Sequence, residues 1–406
     1  MNEHPSPALV LSGGGWPGAY DIVRALGREG IRSVVASSQT DEIAFSSRYT
    51  LSTIKLPPFM VSHYNEILAF LTEFGSQCSD KPVLYYVGDS ELDFVSHHEE
   101  LLNKHFRFLL PSRDILENVI DKGLFVDLAK HYDLPIPRTR NFADIDDLKG
   151  ALDTIALPCI VKPVHNIDWF MRSHLTPSKI GSYKEALRRF NSRDELRRFC
   201  SELPSRTSRL IVQSYIEGGE ESVVCFNGYF DDESQCLGYL TGREIRTNPP
   251  INGESAYSET TDDAELSRLS IEYLQRLKFH GIVKIDYKWD AITKRFIMIE
   301  IEPHYQFWHL LGAYGGVNLP YIAYCHQRGE RVENGVRCNK GERMLYFKHD
   351  FAAYIRFYRK MKGWTFVAYV KTLFRRQHYR VFDTKDPLPF IRSVVGFLFK
   401  TILDRN

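Results

Sequence analysis

Residues 295–309 read RFIMIEIEPHYQFWH, with two carboxylates, Glu300 and Glu302, two positions apart inside an otherwise apolar strand. Successive side chains of a strand alternate between its faces, so the two acids share one face while Ile297, Ile299 and Ile301 share the other. Just upstream, GIVKIDYKWD (281–290) alternates in the same way, and a short polar connection from Asp290 to Lys294 joins the two runs into a hairpin. A hairpin symmetric about position 293 sets Asp286 opposite Glu300 and Lys284 opposite Glu302. The predicted polar face is therefore Lys284, Asp286, Glu300 and Glu302; the predicted core face is Ile285, Tyr287, Ile297, Ile299 and Ile301.

Carboxylates facing each other on neighbouring strands repel unless a cation lies between them. Hard oxygens placed this way suit Mg²⁺, which binds one or two protein carboxylates and completes its shell with water and phosphate oxygens. The same pattern also fits a solvated sheet face with a Lys284–Glu302 surface ion pair, worth at most about 1 kcal/mol. The hairpin alone leaves both readings open.

Further motifs precede it: Lys122 in DKGLFVDLAKHYDLPIPRT, Lys162 in LPCIVKPV, and QSYIEGGEES at 213–222. In this order, with a late Lys-x-Asp strand paired to Glu-x-Glu-Pro, the chain over about residues 110–320 resembles the ATP-grasp superfamily of carboxylate-amine ligases. It is most similar to the predicted carboligases related to D-aspartate ligase, because TGREIRTNPP (241–250), GVNLP (316–320) and DPLP (386–389) also recur there.

The resemblance implies that Lys122 and Lys162 contact nucleotide phosphates, as flexible point charges do. It makes Gln213, Ser214, Tyr215 and Ile216 the hinge strand that reads adenine, and Glu220 the acceptor of the ribose hydroxyls. Asp286, Glu300 and Glu302 take the place of the Mg²⁺ ligands, with Mn²⁺ as the alternative ion. Lys284 stands where many relatives carry an arginine that steadies the transferring phosphoryl group. Arg243 and Arg246 are the candidates for holding a substrate carboxylate or a developing oxyanion. The implied reaction is ATP-dependent phosphorylation of a carboxylate and attack of an amine on the acyl phosphate, chemistry that needs positioning and fixed charge more than a protein nucleophile.

The pattern departs from its relatives at two positions, where EIEPH replaces the usual Glu-x-Asn-Pro-Arg. Glu302 adds a negative charge beside the metal position and His304 removes a permanent positive one. Lys284, opposite Glu302, compensates. The expected activity is a ligase for small carboxylate and amine substrates, such as an amino-acid ligase acting on a cell-envelope precursor. The rival is a non-catalytic nucleotide-binding homologue with a regulatory or scaffolding role. The polar loop 165–182 is poor in glycine for a phosphate-covering lid, which leaves the role of Lys179 open.

At the other end, ALVLSGGG followed by AYDIVRALGREG and IRSVVAS opens β-α-β, and Gly13, Gly15 and Gly18 fit G-x-G-x-x-G. A dinucleotide site requires an acid at the end of the second strand, where Ser37 and Ser38 stand and Asp41 is the first acid. In ATP-grasp ligases such a Rossmann-like opening binds no dinucleotide and shapes the acceptor site, so NAD is the distant third reading. The expected architecture is α/β and α+β, in four parts. These are a Rossmann-like domain (1–110), a small ATP-grasp lid subdomain (111–205), a catalytic subdomain (206–338) and a basic aromatic helical tail (339–406).

The chain has 406 residues, 43% hydrophobic and 25% charged, as in ordinary globular proteins. No basic-then-apolar leader and no run of about 20 apolar residues is present, so a cytoplasmic protein is expected. Cys78, Cys159, Cys200, Cys225, Cys236, Cys325 and Cys338 show no metal-ligand spacing, and reduced thiols are expected. The net charge is +1, yet residues 339–406 hold 15 Lys and Arg against 5 Asp and Glu. That tail interleaves aromatics with basic residues, which suits an anionic membrane surface and equally well a helix packed on the acidic body. No nucleic-acid recognition module is visible, and a homodimer is the default assembly.

Overall fold

The computed structural model describes residues 6–14, 17–39, 42–164, 189–202, 209–250, 253–361 and 364–394. Gly15, Asp41 and the loop with Lys179 lie outside them. Three sheets organise the described chain. The first comprises β1 (Ala8–Ser12), β2 (Ser33–Ser37), β3 (Thr50–Lys55) and β4 (Leu84–Tyr86), all parallel in the order β3-β2-β1-β4. β1 and β2 are buried along their whole length, as parallel strands covered on both faces require. Helix α1 (Gly18–Gly27) makes the crossover between them. TLSTIK forms the edge strand β3, largely exposed, which explains why its polar sequence does not announce it. Arg107, in FRFLLP, adds a single parallel bridge to Val83.

The helical stretch 113–131 is broken at Asp121, whose backbone is extended and whose carboxylate accepts from the Gly123 and Leu124 amides at 2.8 and 2.9 Å. This is a helix N-cap. It makes Lys122 the first residue of the helix Lys122–His131. The second sheet is antiparallel, with β5 (Thr139–Phe142), β6 (Cys159–Pro163), β7 (Arg189–Phe190) and β8 (Leu210–Ser214) in the order β5-β8-β6-β7. Ile145 and Leu148 of the helix Ile145–Ala151 close its core together with Leu196 and Cys200 of the helix Arg193–Glu202. Residues 165–188 lie outside the described chain, which resumes at Arg189 and Phe190 in β7.

The large sheet runs β13-β12-β9-β10-β11-β15-β16, with β14 beside β10. Its strands are β9 (Val223–Phe230), β10 (Cys236–Asn248), β11 (Glu254–Thr261), β12 (Gly281–Asp290), β13 (Arg295–Glu302), β14 (Val336–Arg337), β15 (Arg343–Leu345) and β16 (His378–Tyr379). The helix Ala264–Arg276 packs Leu266 and Leu274 on the face that carries Phe226, Val283, Ile285 and Tyr287. The other face packs Leu240 and Ile282 with Trp308 and Leu311 into the core shared with the first sheet. Residues after 338 therefore include strands of the large sheet as well as the helices Phe347–Arg356 and Phe366–Leu373. Among the described residues no helix is long and apolar enough to cross a membrane, and all seven cysteines are free.

Candidate active site

β12 and β13 pair in the expected register, Lys284 with Glu302 and Asp286 with Glu300. Beyond Asp286 the register shifts, so that Tyr287 faces Met298 and Ile299 becomes the extra residue of a bulge. This corrects the predicted core face. Phe296, Met298 and Ile301 are buried, while Ile299 turns to the opposite side and lines a cleft. The bulge lets one short strand present an apolar side chain and two carboxylates to the same space.

That cleft, of about 420 Å³, lies between the second and third sheets and reaches the first. Lys122, Lys162, Gln213, Ser214, Tyr215 and Ile216 line one part of it, with Ile160, Val223 and Ile299 as apolar walls. The Ser214 and Tyr215 amides donate to Arg138 and Pro158 carbonyls at 2.9 and 3.0 Å. The Ile216 amide has no partner among the described residues. The Tyr215 ring meets two cations, with Arg189 at 4.5 Å and Lys288 at 4.6 Å from its centroid.

In the middle of the cleft, one oxygen each from Asp286, Glu300 and Glu302 lie within 4.8 Å of one another. Lys284 donates to Asp286 at 2.6 Å and to Glu302 at 2.7 Å. Its side chain is only 11% exposed, so the reading as a solvated surface pair does not hold. Burial works against the Lys284 ammonium, but Asp286 and Glu302 outweigh it and hold its pKa well above the ordinary lysine value. Burial pushes Asp286 up to about 6, with Glu302 and Glu300 adding to the effect and Lys284 opposing it. Burial lowers the Lys162 pKa, against the pull of Glu300. Three hard oxygens this close, with cationic side chains around them, fit a single divalent ion that also meets phosphate. His304 lies 3.5 Å from Asp89 and 3.9 Å from Glu302.

Three expected site residues stand elsewhere. Arg246 is fully buried on the far side of the sheet, paired with Asp350 at 2.6 and 3.0 Å and set among the rings of Tyr257, Trp364 and Tyr369. Arg243 points to that same side and pairs with Glu259 at 2.7 Å. Strand alternation, with irregular register at 244–247, gives the cleft to Glu244 and Thr247 instead. Glu220 stands behind the cleft wall and accepts from the Thr247 amide at 2.9 Å, the Thr247 hydroxyl at 2.7 Å and the Tyr358 hydroxyl. It thereby ties Tyr358 of the tail to β10.

Sequence reading overlooked four lining residues. Lys288 was legible as the next term of the alternation Lys284, Asp286, Lys288. Glu244 lay between the two arginines that drew attention; Ser258 donates to it at 2.9 Å and Ser255 also bonds it. Phe307 and Arg380 line the far end of the cleft, and no local signal marks Arg380. In the glycine loop, Glu91 accepts from the Gly13 amide. A protein carboxylate thus already holds an amide that a dinucleotide phosphate would need, which removes the NAD reading.

No family model matches the chain. It is similar to a D-aspartate ligase of Enterococcus faecium (strain Aus0004), 22% identical over 242 residues, or 58% of this chain. The chain matches 56% of the length of that relative. Among solved structures, the biotin carboxylase domain of the Hydrogenobacter thermophilus 2-oxoglutarate carboxylase superimposes with a TM-score of 0.58 at 15% identity, covering 82% of this chain and 72% of that one. N5-carboxyaminoimidazole synthetase of Staphylococcus aureus gives 0.57 at 12% identity, covering 83% and 80%. An L-amino acid ligase from Bacillus licheniformis gives 0.56 at 14%, covering 80% and 74%. These likenesses show that the chain shares the fold of the three structures, as the resemblance to the ATP-grasp superfamily implies.

Proposed function

We propose that the protein is an ATP- and Mg²⁺-dependent ligase that joins a carboxylate to an amine. The carrying observation is one cleft that unites the hinge 213–216, Lys122 and Lys162 with the carboxylates Asp286, Glu300 and Glu302. In this reading Ile160, Val223 and Ile299 enclose the adenine, and the Ile216 amide donates to its ring edge. Lys122 and Lys162 hold phosphate oxygens. Asp286, Glu300 and Glu302 are the residues that would hold the ion. When bound, Mg²⁺ neutralises phosphate charge as the phosphoryl group moves. Lys284 steadies the carboxylates beside it. A substrate carboxylate oxygen takes the γ-phosphoryl group and ADP leaves. The amine nitrogen then bonds to the acyl carbon, loses its proton and expels phosphate.

The named activity of the E. faecium relative makes D-aspartate the first acid to try. The test is phosphate release from MgATP against D- and L-amino acids and dipeptides, wild type beside Asp286→Asn. Release that depends on a substrate and falls at least about 100-fold in the variant supports the ligase. ATP binding with silence across the panel favours the non-catalytic nucleotide-binding reading.

We also infer that the outer face of the tail meets an anionic membrane surface. Phe347, Phe351 and Ile355 form an exposed i, i+4, i+8 stripe on one helix, and Phe366, Val367 and Phe374 are exposed beside Lys371, Arg375 and Arg376. Aromatic side chains interleaved with basic ones suit the headgroup region.

A further inference from the structure

The tail also faces inward. After β16 it delivers Arg380 to the far end of the cleft, beside Gly18, Val87 and Phe307. Arg380 is 7% exposed. Its Nε donates to Asp21 Oδ1 and Oδ2 at 3.2 and 3.0 Å, Nη2 reaches Oδ2 as well, and the guanidinium lies 5.0 Å from the Phe307 ring centroid. Nη1 has no partner among the described residues. The backbone is clamped on both sides: Arg24 donates to the Arg380 carbonyl at 2.6 Å, and Asp386 accepts from the Ser47 hydroxyl at 2.6 Å and the Arg48 amide at 2.9 Å.

A desolvated guanidinium, fixed in plane by one carboxylate and left with a free donor, meets the requirements of a receptor for a second carboxylate. Asp21 cancels the long-range charge, so such a site selects by hydrogen-bond geometry and does not attract every anion. The phosphate-facing cations Lys122, Lys162 and Lys284 line the cleft beside the acidic cluster, whereas Arg380 borders Phe307 and the N-terminus of α1. His304 at this end already faces Asp89.

We propose that Arg380 binds, through Nη1, a substrate carboxylate that takes no part in bond formation, so that one of the two joined molecules is an amino acid or another acid with a carboxylate to spare. The assignment rests on the ligase reading. It is tested on the full chain with the acid and amine pair that gives phosphate release from MgATP in the amino-acid panel. The variants are Arg380→Lys and the double variant Asp21→Leu with Arg380→Met, which leaves no unpaired buried charge. Both are expected to raise KM for one carboxylate-bearing substrate about 10- to 100-fold, the range of a charge-assisted hydrogen bond, with KM for ATP within about twofold of wild type. Asp386→Asn loosens the same stretch of tail without touching the cleft; it is expected to lower Tm and leave every KM at its wild-type value. Unchanged KM in the Arg380 variants, an equal rise for ATP, or the same rise in Asp386→Asn overturns the assignment and leaves the ligase standing. No release from wild type with any pair overturns both.

Discussion

At the scale of single residues, the cleft is built from charged groups that the protein keeps half out of water. Glu244 shows what this costs. Burial pushes its pKa up to about 7, against the hydrogen bonds from Ser255 and Ser258. The folded state therefore keeps a proton that the unfolded chain releases at an ordinary glutamate pKa, and stability falls as pH rises from about 4.5 to about 7. Glu244→Gln removes this penalty. The variant is expected to be about 2 kcal/mol more stable than wild type at pH 8, with the difference gone at pH 4, by denaturant unfolding at both values. A constant difference across that range would show that Glu244 does not titrate in this window. The face shared by Glu300 and Glu302, by contrast, was legible from alternation alone. The pairing of Asp286 with Glu300 and of Lys284 with Glu302 also needs the bulge at Ile299, because the register at the turn, where Asp290 faces Arg295, would otherwise set Asp286 opposite Ile299.

At the scale of elements, bulges decide what alternation does not. Ile299 was expected in the core and lines the cleft because one extra residue in β13 changes the phase beyond Glu300. Similar register shifts at 244–247 accompany the turn of Arg246 away from the cleft, into a fully buried pair with Asp350. A buried pair is costly to break from one side and nearly neutral to replace as a whole. Arg246→Met is thus expected to destabilise by about 3–5 kcal/mol, because Asp350 is left charged and unpaired. Adding Asp350→Leu is expected to restore most of that loss in the same unfolding measurement. If the double variant is as unstable as the single one, the pair does more than neutralise itself. Nothing in TGREIRTNPP distinguishes an arginine aimed at substrate from one aimed at a tail about 100 residues later, since the partner of Arg246 is remote in sequence.

At the scale of the whole molecule, the basic tail has an inner side and an outer side of different chemistry. Its inner side is bound to the body through the Arg246–Asp350, Arg24–Asp383 and Arg380–Asp21 pairs. Its outer side exposes apolar and basic groups together, with Phe374 as much as 86% exposed. Co-sedimentation with vesicles containing anionic lipid at low salt is the expected outcome, weakened by Lys371, Arg375 and Arg376 changed together to Ser, and absent with neutral vesicles. Equal recovery with both kinds of vesicle, or none, would leave the tail with its internal role alone.

The sequence by itself determined that Lys284, Asp286, Glu300 and Glu302 share one face of a hairpin, and it carried the order of the motifs through which the chain resembles the ATP-grasp superfamily. The shared face follows from strand periodicity, whereas the motif order and the cations around the carboxylates are what the resemblance implies. Only the tertiary structure decided which arginines face the cleft, where Glu220 is spent, and how the tail reaches both the large sheet and α1. Those outcomes depend on bulges and on pairings between residues hundreds of positions apart, such as Asp21 with Arg380. A local pattern carries no information about partners that only chain folding brings within hydrogen-bond distance.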